Sequence, residues 1–132
     1  MIKIVLDTNI LVSALWRKNS KPASIVQKVL EQVFIACYDY RIMNEYINVL
    51  HRPKFPFASS DIKDLLDGIK NGGLSIVAPE SSIAFPDEDD RMFYDVAKFC
   101  DATLVTGNTQ HFPKEPFIVT ASDFLDMWEN GL

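Results

Sequence analysis

Apolar residues in this chain are arranged in two kinds of pattern. Short continuous runs of strand length occur at residues 2–6, 34–37, 74–77, 103–106 and 117–119. The first, rich in β-branched side chains, reads as a strand buried in a parallel sheet. Between the runs, apolar residues recur at intervals of three and four. That spacing predicts helices over residues 10–16, 23–32, 41–51, 60–70 and 89–100. A last helix over 122–129 opens on the cap-like pair Ser122-Asp123. Alternating strands and helices imply βαβ units with right-handed crossovers, hence an α/β fold whose parallel sheet is covered on both faces. Asn71-Gly72-Gly73 stops one helix before a strand, and the prolines of Arg52-Pro53-Lys54-Phe55-Pro56 mark a loop. No repeat, low-complexity tract or linker divides the chain, which predicts a single domain over residues 1–132.

Composition narrows the class. A chain of 132 residues, 48% apolar and 23% charged, can bury a real core and is not a disordered tail. No apolar run is long enough to span a bilayer, and no basic, cleavable leader precedes the first strand. Cytoplasmic residence, away from membranes, is the expectation. Cys37 and Cys100 each end an apolar segment without Cys-x-x-Cys spacing, so two buried, reduced thiols are expected. The net charge of −5 argues weakly against a nucleic-acid partner, but its distribution is uneven. Acids crowd between Asp87 and Asp95, while bases gather in Arg17, Lys18 and Lys21 and in His51, Arg52 and Lys54. Acids that hold divalent cations would present positive charge to a phosphate.

Asp7 is the most informative residue. It stands where the first strand ends and a helix begins, at the carboxyl edge where open α/β sheets bind ligands. Asp7 or Thr8 could equally be a plain helix cap. Glu45 falls at the margin of the apolar arc made by Ile42, Met43, Tyr46, Ile47, Val49 and Leu50, where a carboxylate is held toward a cleft or simply solvated. Asp87-Glu88-Asp89-Asp90 opens a helix, where acids supply caps and complement the dipole. Within it, Asp90 is placed at the edge of the buried face and Asp89 over its centre, with Asp95 on the opposite, polar side. After the fourth strand, Gly107 permits a sharp turn that presents Asn108, while His111 reads as a surface or capping histidine.

Together these segments resemble the PIN-domain family, in particular its VapC-like branch of toxin–antitoxin ribonucleases. The resemblance covers nearly the whole chain. It rests on Val5-Leu6-Asp7-Thr8-Asn9-Ile10-Leu11-Val12-Ser13-Ala14-Leu15 and on Glu45-Tyr46 running into Val49-Leu50-His51-Arg52-Pro53-Lys54-Phe55. It continues through Asp87-x-x-Asp90-Arg91-x-Phe93 and closes with Ala102-Thr103-Leu104-Val105-Thr106-Gly107-Asn108. The resemblance implies a three-layer PIN-like domain with a central sheet of four or five strands in the order 3-2-1-4-5. It also implies that Asp7, Glu45 and Asp90 are the acidic catalytic positions. The family often carries a fourth acid where this chain has Asn108, which can ligate through its carbonyl oxygen but brings no charge.

Carboxylates clustered in this way suit Mg²⁺ or Mn²⁺. The resemblance implies a metal-dependent endoribonuclease, a hydrolase of RNA phosphodiesters in single-stranded or loop RNA, silenced by a cognate antitoxin protein and forming a homodimer. Asp7 and Asp90 are expected to ligate the metal, Glu45 to ligate it or position water, and Asn108 to ligate or orient substrate. Asn9 and Thr106 are expected beside them. The alternative from another class is a PIN-fold binding or assembly module with little or no catalysis, favoured by Asn108.

Overall fold

A computed structural model describes residues 1–131. Five parallel strands form one sheet in the order β3-β2-β1-β4-β5, the order expected. They are β1 (Lys3–Leu6), β2 (Ile35–Tyr38), β3 (Leu74–Ser75), β4 (Thr103–Val105) and β5 (Ile118–Val119). The helices are α1 (Thr8–Trp16), α2 (Lys21–Leu30), α3 (Tyr40–Leu50), α4 (Ser59–Gly72), α5 (Arg91–Cys100) and α6 (Ala121–Glu129). The protein is therefore α/β, a parallel sheet flanked by six helices. β1 is central: Lys3 and Ile4 pair with Ile35 and Ala36 on one side, and Ile4, Val5 and Leu6 pair with Thr103, Leu104 and Val105 on the other. Ile4, Val5 and Leu6 are buried accordingly, and this uninterrupted apolar run is why the strand can occupy the middle of the sheet.

The chain reverses direction across β1. Strands β2 and β3 lie to one side of it, β4 and β5 to the other, so the carboxyl ends of β1 and β4 flank the point where strand order switches. Helices that diverge there leave a crevice. The core beneath is aromatic as well as aliphatic, with Phe34 set edge-on to Phe124 at 5.1 Å between ring centres. Cys37 and Cys100 are both buried in it as free thiols. The thiol of Cys37 is pushed up to about 12 by burial and then by its neighbour Cys100, which leaves it protonated and unreactive. Among the described residues, no helix is long and apolar enough to cross a membrane.

Four details depart from the pattern-based expectations. The third strand is Leu74–Ser75 and does not extend to Val77, which is 83% exposed; as an edge strand facing solvent, it has no second neighbour to prolong it. Ile47 lies on the outer face of α3, not on its apolar arc. The helix expected from Asp89 instead begins as a 3₁₀ turn, Glu88–Asp90, and becomes α-helical at Arg91. A 3₁₀ turn advances 120° per residue instead of 100°, so extrapolating the α-helical phase backwards misplaces Asp89. It is exposed and not over the buried face. Asp95, expected on a polar side, is buried and accepts a hydrogen bond from the Ser81 N–H at 3.2 Å. Ile76, Ala78, Ile83 and Phe85 pack against the core, and the segment carrying them covers the face that periodicity assigned to solvent.

Gly73 closes α4 at a point where a side chain would not fit. A Cβ there would run into the carbonyl oxygens of Ile69 and Ala36. Gly107 is different: it is not left-handed, and a Cβ there would meet Asn9 at 3.5 Å, an ordinary contact. The turn after β4 is thus not one that demands glycine.

Candidate active site

Asp7 occupies the position before the first residue of α1, yet its side chain makes no capping bond to that helix. The carboxylate is held from across the crevice instead. The Thr106 hydroxyl, on the residue following β4, donates to Asp7 Oδ2 at 2.7 Å, and Asn9 Nδ2 approaches the same oxygen at 3.4 Å. Thr106 is fully buried, and its hydroxyl also accepts the Asn108 N–H at 3.0 Å. Asn9 Oδ1 in turn accepts the Gly107 N–H at 3.1 Å. Parallel pairing of β1 with β4 brings these groups together from opposite ends of the sequence: the register that sets Leu6 beside Val105 sets Asp7 beside Thr106.

Two further carboxylates face the same crevice. Glu45 projects from the middle of α3 and is half-buried; Asp90 ends the 3₁₀ turn before α5 and is likewise half-buried. Burial raises Asp7 above the ordinary carboxylate range, against the bond from Thr106, which lowers it. Glu45 is raised by burial, then by Asp89, with a smaller push from Asp7. Asp90 is raised to about 6, by burial and then by Asp7. Glu45 and Asp90 therefore both feel Asp7 through a partly desolvated space, and a neighbouring like charge disfavours ionisation.

The basic groups nearby do not neutralise the cluster. His111 Nδ1 stands 4.0 Å from Asp90 Oδ2 and lowers both Asp90 and Asp7, while Arg52 lowers Glu45. Arg91 is committed elsewhere, gripping Glu88 at 2.7 and 2.9 Å and the Ser81 carbonyl at 2.6 Å. Glu88 is thereby fixed as a structural partner, and Asp87 caps the turn by accepting the Asp89 N–H at 2.9 Å. So of the four acids in the run 87–90, two serve local structure and Asp90 is left to the crevice.

The donor set suits a hard cation, since carboxylates and an amide carbonyl are the oxygens that Mg²⁺ or Mn²⁺ select. Among the described residues, no three His, Cys, Asp or Glu side chains yet converge on one point. Mg²⁺ does not require that: it keeps several waters and takes one or two carboxylates from protein. The residues fit such an ion as an open site, not as a closed cage.

Sequence similarity bears on this geometry. The family model described as "PIN domain" matches residues 3–110, from the first strand through the turn after the fourth. This chain belongs to the PIN-domain family. No curated protein matches it significantly. The matched region of this PIN domain includes Asp7, Glu45, Asp90 and Asn108, and it ends just short of His111. The fold is of the nuclease type that PIN domains generally carry.

Sequence reading placed Asp7, Asn9 and Thr106 near one another, and the structure joins them by hydrogen bonds. Glu45 and Asp90 lie within electrostatic reach of Asp7. Asn108 borders a separate pocket with Lys21 and Ser122. Two groups beside the site were passed over: His111, discounted as a surface residue, and Arg52, read only as part of a basic loop. The signal for His111 was its distance of three residues from Asn108, which one 3₁₀ turn, Thr109–His111, brings back to the crevice.

Proposed function

We propose that this PIN domain is a divalent-cation-dependent endoribonuclease of single-stranded RNA and the toxin of a toxin–antitoxin pair. The observation that carries the reading is the set of three carboxylates at the sheet's switch point, Asp7, Glu45 and Asp90, each raised by burial, with Glu45 and Asp90 pushed further by Asp7. Acids serving only as caps or ion-pair partners would be lowered instead. When bound, Mg²⁺ or Mn²⁺ would supply a more acidic water and charge stabilisation at the scissile phosphate.

The chain's own residues do the rest. Thr106 and Asn9 both bond Oδ2 of Asp7, which fixes the carboxylate plane, and Asp7 so held would be one of the residues to hold the ion. Glu45, drawn toward protonation by its surroundings, is placed to hold the proton of an attacking water. His111, its Nδ1 4.0 Å from Asp90 Oδ2, is the imidazole nearest the acids and the candidate proton donor to a departing oxygen. A helical duplex cannot bring its backbone into a crevice between helices, whereas an unpaired strand can, and this favours single-stranded substrate.

The resident antitoxin and a homodimeric state belong to the same proposal and rest on the resemblance to toxin ribonucleases. The test is hydrolysis of a single-stranded RNA by purified protein with Mn²⁺, compared with Asp7→Asn, together with isolation of the protein from its host alongside the product of the adjoining gene. A second reading, a binding or assembly module without catalysis, is favoured by the neutral Asn108 and the lack of a preformed three-donor point. Equal behaviour of wild type and Asp7→Asn on RNA would select it.

A further inference from the structure

Beside the acid crevice lies a second concavity, of about 470 Å³, walled by the starts of α1, α2 and α6 and by the loop after β4. Asn9 and Thr106 belong to both spaces, since each bonds Asp7 and each lines the pocket. The chemistry of the two is opposite. Among the described residues that line the pocket there is no carboxylate, and the one cation is Lys21.

Hydrogen-bond accounting shows what this wall has left to offer. Lys21 Nζ donates to Ser122 Oγ at 2.9 Å, reaching from the first residue of α2 to the first turn of α6. An ammonium has three protons and no acceptor, so two remain. Ser122 Oγ already accepts from Lys21, and Thr120 Oγ1 already accepts the Asp123 N–H at 3.1 Å. Both hydroxyls keep their own proton to give. Asn9 has committed its carbonyl oxygen to Gly107 N–H. Lys21, Ser122 and Thr120 thus each retain a proton to donate, which is complementarity to an anion.

A polyanion approaching the acids of this protein, whose net charge is −5, is repelled unless something beside them attracts it. We propose that the pocket binds the phosphate and ribose of a nucleotide flanking the scissile bond of single-stranded RNA, with Lys21 the phosphate ligand and the hydroxyls of Ser122 and Thr120 its companions. Asn108 stands in the same wall, and its neutrality keeps the pocket open to an anion. The inference rests on the ribonuclease reading above, and it adds the subsite that holds the strand.

Binding and cleavage separate the two ideas. The probe is a fluorescent oligouridylate of about twelve nucleotides, a length within single-strand site sizes. Anisotropy is followed in chelator, so that no hydrolysis occurs, at salt between about 50 and 200 mM. Lys21→Ala is expected to weaken binding about five- to tenfold and to lower the salt slope by about 0.7, the loss of one phosphate contact on a single strand. Lys21→Arg retains the slope, Ser122→Ala loses less than Lys21→Ala, and Asn108→Asp weakens binding by placing a charge in the wall. Lys21 is exposed, and unchanged melting temperatures establish that the variants are folded. Wild-type affinity and slope in Lys21→Ala overturn the subsite, even if the protein cuts RNA with Mn²⁺. Lys21-dependent binding by a protein that never cuts RNA upholds the subsite and overturns the nuclease. A wild type that neither binds nor cuts the probe overturns both.

Discussion

Asp7 and Asp39 each follow a central strand, and each stands immediately before a helix. Both are buried. Asp39 is closed on itself: it accepts the Ile42 N–H at 3.0 Å as a helix cap and meets Arg41 at 2.8 Å through Nε and 2.7 Å through Nη2. Asp7 makes no cap, has no cation bonded to it and receives only neutral donors. The same residue type at the same kind of corner is thus stabilising in one place and electrostatically unsatisfied in the other. What separates them is the residue two positions on, Arg41 in one case and Asn9 in the other. A buried carboxylate with its cation supplied by the chain is structure, whereas one left without a cation is prepared for a cation from outside.

The largest expected effect is on activity. Asp7→Asn is expected to lower RNA hydrolysis in Mn²⁺ by about two orders of magnitude or more, since several kcal/mol of charge stabilisation depend on that carboxylate. Asp39→Asn, in the fraction that folds, cuts at close to the wild-type rate. Comparable losses in both variants would erase the distinction between the two corners.

Stability in chelator is expected to move in opposite directions. Asp39→Ala loses a cap and leaves Arg41 unpaired, a cost of about 2–4 kcal/mol by urea melting. Asp7→Asn removes one of several crowded charges and stabilises by about 0.5–2 kcal/mol. If Asp7→Asn melts well below wild type, Asp7 is structural after all.

Mn²⁺ is expected to raise the melting temperature of wild type through mass action, and to do so much less for Asp7→Asn or Asp90→Asn. Asp39→Asn keeps the full shift. Equal shifts in all four proteins would mean that the ion sits somewhere else.

The smallest effect is on pH dependence. Asp90 is raised to about 6 by burial and then by Asp7, so the folded protein takes up a proton more readily than the unfolded chain. Its contribution to stability is therefore fully present below the unfolded carboxylate pKa of about 4 and fades as pH rises through about 6. In chelator, wild type should lose more melting temperature than Asp90→Asn between about pH 4.5 and pH 7. Identical slopes would show that Asp90 does not sense its neighbours.

Much of this was legible in the sequence, for identifiable reasons. Strand and helix existence follow from apolar period, whereas strand order follows from the resemblance alone. Asp7 was legible because a strand-to-helix corner is defined by where two periods meet. Asp89 and Asp95 were misplaced because period assumes one helix type and a known solvent side. The 3₁₀ turn broke the first assumption and the segment packed over α5 broke the second. The Lys21–Ser122 contact spans 101 residues and depends on the ends of two helices meeting, which no local pattern encodes.

The buried Tyr46 hydroxyl donates to the Leu6 carbonyl at 2.5 Å. Tyr46 is the neighbour of Glu45 along α3, and Leu6 is the neighbour of Asp7 along β1. One hydrogen bond therefore acts as a caliper on the gap between two acids without touching anything in it. Mg²⁺ sits about 2.0–2.1 Å from its oxygens and Ca²⁺ about 2.3–2.6 Å. Widening the gap by those few tenths strains a bond whose loss, buried, costs about 1–3 kcal/mol. Were the crevice to hold a divalent ion as proposed, preference for the smaller one would reside in this phenol, and Tyr46→Phe would bring the thermal shifts given by Mg²⁺ and Ca²⁺ closer together.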